Sequence, residues 1–115
     1  MWMNTQIIAL DTATNIYYTP WFPRGADNAM FMLELIKNTF GSTFTVDVWT
    51  KNREDEGSAP GSVVGTFSTL SGNFQEVGCK DLKELVRFRI TTRADAVGQG
   101  AIFRFLGPTW YDTAV

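Results

Sequence analysis

Apolar and polar residues alternate with a period of two along most of this chain, and turn residues interrupt the alternation every eight to fifteen positions. Side chains of a strand point alternately to opposite faces, so this pattern predicts half-buried β-strands. The clearest case is Phe44 to Lys51, where Phe44, Val46 and Val48 oppose Thr45, Asp47 and Trp49. Leu85 to Thr92 sets Val86, Phe88 and Ile90 against Arg87, Arg89 and Thr91. Ala101, Phe103 and Phe105 likewise oppose Ile102, Arg104 and Leu106. Gln6 to Leu10, Ile16 to Thr19, Val63 to Leu70 and Phe74 to Cys79 read as further strands. The second of these is halted by Pro20, which cannot donate to a ladder.

Ala29 to Lys37 is ambiguous. Its apolar run suits a buried strand, but Asp27 could cap a helix there and Gly41 could end one. Its β-rich neighbours favour the strand. Asp81 to Glu84 is expected to form a single helical turn. Ala94 to Gly100 is expected to be a hairpin loop that pairs the last two strands and sets Arg87, Arg89 and Arg104 on one outer face. The prediction is all-β: one domain over residues 1–115, an antiparallel β-sandwich or jelly roll of about seven to eight strands.

Composition agrees with a packed core. Hydrophobic residues make up 44% of the 115 and aromatic residues 14%, with nine Phe and four Trp. A chain this long buries roughly two-thirds of the surface it exposes when unfolded. A net charge of −2 without a basic block gives nucleic acid little to hold. No stretch approaches membrane-spanning length, and Met1 to Leu10 lacks the basic and apolar segments of an export signal. Folding in a cytoplasm is the expectation.

Candidate chemistry is sparse. The chain has no histidine, which removes the commonest general base and metal ligand, and Cys79 is its single cysteine. Carboxylates remain: Asp47, Glu54, Asp55, Glu56, Glu76 and Glu84. Glu54 to Glu56 lie beside Lys51 and Arg53 in a polar loop, as a solvated charged segment would. Asn52, Glu54, Asp55 and Glu56 offer too few oxygens at a useful spacing for calcium. Gly98-Gln99-Gly100 lacks the rest of a phosphate loop. No enzyme activity, cofactor or metal is expected.

Aromatic residues outside the alternating segments are the distinctive feature. Trp2 stands near the amino terminus, Trp21 and Phe22 between Pro20 and Pro23, and Trp110 and Tyr111 near the carboxy terminus. Such rings either cap the ends of a sandwich or, with Arg24, form an interface, where Trp, Tyr and Arg dominate binding energy. Trp49, with Trp21 and Tyr17 or Tyr18, suggests a rival use as a stacking platform for sugars.

Four segments carry a resemblance: Tyr17-Tyr18-Thr19-Pro20-Trp21-Phe22-Pro23-Arg24-Gly25, Thr45-Val46-Asp47-Val48-Trp49-Thr50-Lys51-Asn52, Leu82-Lys83-Glu84-Leu85-Val86-Arg87-Phe88 and Leu106-Gly107-Pro108-Thr109-Trp110. Together they resemble the small β-rich decoration, or cement, proteins on the heads of tailed bacteriophages. The resemblance implies a virion protein, an oligomer bound to the major capsid protein or another virion component, without nucleic acid or membrane contact. A phage tail component that touches carbohydrate is the alternative.

Overall fold

The computed structural model describes residues 4–55, 61–67 and 74–112. Among them run nine strands: β1 (Asn4–Ile8), β2 (Thr14–Tyr18), β3 (Phe22–Pro23), β4 (Asn28–Asn38), β5 (Thr43–Lys51), β6 (Ser62–Phe67), β7 (Phe74–Cys79), β8 (Leu85–Arg93) and β9 (Gly100–Tyr111). One sheet has the order β1-β9-β4-β7 and the other β2-β8-β5-β6, with the short β3 also on β8. All neighbours are antiparallel.

Setting β3 aside, the first strand pairs with the last, the second with the second from last, and so inward to β5 and β6. That is one long hairpin. Rolling it up creates the two remaining pairs, β4 with β9 and β5 with β8, and closes a jelly roll.

The inner faces hold the residues that the alternation points inward. Phe31, Leu33, Val46, Val48, Val86, Phe88, Phe103 and Phe105 are all buried. Phe88 of one sheet stacks on Phe105 of the other with centroids 4.1 Å apart. Phe103 then meets Phe105 edge-on and Phe44 at a tilt, so rings bridge the two sheets. Full burial of each such ring stabilises by about 2–3 kcal/mol.

The segment 29–37 lies within a strand, β4. Other expectations are corrected. The last two strands do not pair. Both sides of β8 are taken, by β2 and β3 on one edge and β5 on the other, so residues 94–99 cross between sheets. Arg87 and Arg89 therefore share an outer face that excludes Arg104. Residues 81–84 form no helical turn. Asp81 adopts a left-handed φ of 56°, its N–H donates to Asn28 Oδ1, and the Leu82 N–H donates to the Asp27 carbonyl.

The final strand runs beyond Leu106 to Tyr111. A register shift opposite Met30 and Met32 absorbs Gly107 and Pro108, the usual accommodation of proline in a sheet. A second shift, between Val48 and Trp49, makes Val64 the extra residue on β6. Val63 consequently faces out while Val64 packs on the core. The end of the expected strand, 68–70, lies outside the described residues.

The two long sides of the sandwich differ. Along one, β6 meets β7: a Cβ on Gly65 would come within 2.7 Å of Cys79 Sγ. Along the other, no strand among the described residues pairs with the outer edge of β1 or β2, and a groove of about 420 Å³ lies there, lined by residues that include Ile7, Tyr17 and Ile90.

Candidate functional site

Trp21, Trp49 and Tyr18 meet on the outer face of the β2-β8-β5-β6 sheet, and arginine side chains bring them together. The register sets Trp49 opposite Arg87 and Asp47 opposite Arg89, while Tyr18 on the far edge lies opposite Arg89. Alternation places Asp47, Trp49 and Lys51 of β5 and Arg87 and Arg89 of β8 on this one face.

The path of the chain between β2 and β3 explains Trp21. The Thr19 N–H still donates to the Phe88 carbonyl at 3.0 Å, and before Pro20 the buried Thr19 hydroxyl, in place of a carbonyl, accepts the Phe88 N–H at 3.0 Å. Phe22 re-enters register opposite Val86 with its ring 5.8 Å from Phe88. Trp21, between these anchors, lies against the outer face. Arg87 Cζ is 4.2 Å from the Tyr18 ring centre and 4.3 Å from that of Trp21, and Lys51 Nζ is 4.8 Å from the same indole. These are cation–π distances.

Charge is unevenly compensated here. Arg89 donates two hydrogen bonds to Asp47 Oδ2, at 3.1 and 2.5 Å, and Thr66 donates to Asp47 Oδ1 at 2.8 Å. The hydrogen bond from Arg89 to Asp47 raises the Arg89 pKa. Arg87 and Lys51 form no ion pair among the described residues, although Lys51 is only 6% exposed. Burial lowers the Arg87 pKa. The Nε–H of Arg87 and the Nε1–H of Trp49 are shut off from water and have no hydrogen-bond acceptor among the described residues.

The other expected interface residues are placed as follows. Phe22 and Trp110 are half-buried against their own core, Trp110 edge-on to Phe31 at 5.7 Å. Arg24 donates to the Leu82 carbonyl and pairs with Asp27 at 3.2 Å. Tyr111, at the end of β9, is 39% exposed. Trp2 lies outside the described residues. Of the five expected interface residues that are described, only Trp21 joins the aromatic–cationic face. Trp49, expected as a sugar platform, lies there too with Arg89 Cζ 4.7 Å from its ring centre.

Sequence reasoning set Lys51 beside the acids of the following loop, whereas it ends β5 with its ammonium over Trp21. Its signal was present in the alternation Asp47, Trp49, Lys51, but its proximity to Trp21 depends on the β5–β8 and β3–β8 pairings.

Several carboxylates have local partners. Glu84 serves Arg53, Asp55 accepts from the Asn52 N–H, and Glu34 pairs with Arg104. No group of three or more acidic or thiol side chains that could hold a metal occurs among the described residues. Glu56 lies outside them. Cys79 is fully enclosed, and burial pushes its thiol pKa up to about 11, far from a reactive thiolate. No described helix is long and apolar enough to cross a membrane. No family model, curated protein or solved structure matches the chain.

Proposed function

We propose that this chain is a virion structural protein of a tailed phage, a decoration or cement protein that binds the outside of the head. It would dock there through the outer face of β2-β8-β5-β6 and act as an oligomer that ties capsid subunits together. The observation that carries this proposal is the cluster of Tyr18, Trp21 and Trp49 around Arg87. Tyrosine, tryptophan and arginine are the residue types that dominate protein–protein binding energy. Stacking already holds them in place, which lowers the ordering cost of association.

The jelly roll alone assigns no function, because capsid proteins, lectins and cupins share it. The four segments that resemble decoration proteins supply the setting, and three of them contribute residues to this face. A sugar-stacking role for Trp49 has weaker support, since a sugar would compete with Arg89 for the ring.

Cosedimentation tests the proposal, using shells assembled from the major capsid protein of the same genome. Wild-type chain should pellet with the shells, and Trp21→Ala should weaken that binding by about 2 kcal/mol or more. Absence of wild-type binding, or full binding by Trp21→Ala, would refute it.

A further inference from the structure

Arg87 and Lys51 differ from the other eight cations of this protein, of which Lys37, Lys80, Lys83 and Arg93 are exposed to water without an ion pair among the described residues. Arg24, Arg53, Arg89 and Arg104 each have a carboxylate of their own chain within ion-pair distance. Arg87 and Lys51 are drawn out of water against rings, and neither has an acid among the described residues. Ring faces compensate part of the lost hydration but accept no N–H hydrogen bond of ordinary strength. A desolvated cation without a counter-charge is the arrangement expected of a site that receives its anion from elsewhere.

We infer that Lys51 and Arg87, on either side of the β5–β8 ladder and both against Trp21, form a receptor for a side-chain carboxylate of the partner protein. A guanidinium matches a carboxylate through two parallel N–H donors, and a lysine beside it adds a mobile third. The ligand is a single carboxylate and not a polyanion. Around this pair Arg89 is neutralised by Asp47, and the whole chain carries −2, so no extended positive track exists for a phosphate backbone. The flanking indole and phenol rings suit an acid that projects from apolar protein surface.

The inference names the partner chemistry of the docking face proposed above, and its test does not need shells. The full chain is titrated with a blocked peptide of alternating glutamate and leucine, followed by NMR at the Arg87 and Trp21 side chains. Lys51→Met and Arg87→Gln keep most of the stacked bulk while removing charge or the fork, and melting curves verify that each variant is folded. Wild type should bind, the double variant should lose at least about tenfold in affinity, and rising salt should weaken binding.

Equal binding by wild type and double variant, or no shift at the Arg87 signal up to millimolar peptide, overturns the inference. Equal competition by inorganic phosphate overturns its specificity for carboxylate. Should the peptide fail while shells still bind through Trp21, the carboxylate receptor falls and the docking proposal stands. Peptide binding that depends on Lys51 and Arg87 without any affinity for shells supports the receptor and removes the virion assignment.

Discussion

Gly25 and Trp110 approach so closely that a Cβ on the glycine would sit 2.7 Å from Cγ of the indole. The ring is held on its other side by Phe31, at 84° and 5.7 Å between centroids. Trp110 thus seals the end of the sandwich where the β3–β4 connection crosses the extended β9. Gly25→Ala should force the indole off Phe31 and lower stability by about 1–3 kcal/mol, read as a reduced denaturant midpoint. An unchanged midpoint would mean that the ring moves freely and is no cap.

The Asp47–Arg89 pair should stabilise the protein through the acceptor it provides. Asp47→Ala leaves the Arg89 guanidinium and the Thr66 hydroxyl without their common partner, at a cost of about 2 kcal/mol. Asp47→Asn keeps the Thr66 bond and should cost less. Chemical denaturation of the two variants provides the comparison.

Cys79 makes a pH prediction. Burial raises its thiol pKa from 9.0 to about 11 in the folded chain, while the unfolded thiol titrates near its ordinary value. The folded state therefore holds the proton more tightly. This contribution to stability is complete below pH 9 and is lost as pH rises from about 9 to 11, by about 2–3 kcal/mol. Other groups titrate in that window, so the measured quantity is the pH slope of wild type minus that of Cys79→Ala. The difference should be negative; a zero difference would contradict it. At pH 8 iodoacetamide should leave the folded thiol unmodified.

Phe22 and Trp21 are adjacent but serve different ends. Phe22 faces Phe88 in the core, whereas Trp21 lies over Arg87 and Lys51 outside. Phe22→Ala should lower stability by about 2 kcal/mol or more. Trp21→Ala should affect stability less and association more. Melting temperature and shell binding measured on both variants give opposite orders.

The alternation in the sequence was enough to assign strand faces. Val46 and Val48 inside with Trp49 outside, or Phe103 and Phe105 inside with Arg104 outside, follow from a period of two. Pairing was not legible, because period-two patterns carry no record of which strand lies alongside. The final two strands look like a hairpin in sequence, yet the Phe88–Phe105 stack that joins their sheets needs them on opposite layers. Bulges hid Val64 and the extension through Pro108 for a related reason: one inserted residue resets the alternation.

The candidate site was half visible. Trp21, Trp49 and the arginine pair stood out by type and spacing. Lys51 gained meaning only when β5 was laid against β8. Conversely, Phe22 and Trp110 drew attention as surplus rings, although a twelve-residue β9 gives Trp110 a place against Phe31.

The most direct test of the central claim is a cryo-electron microscopy map of shells carrying the bound chain. The account predicts that the outer face of β2-β8-β5-β6 meets the capsid protein, with an acidic side chain of the shell beside Lys51 and Arg87. A map in which Trp21 and Arg87 face solvent, with the β1-β9-β4-β7 sheet against the shell, would contradict it.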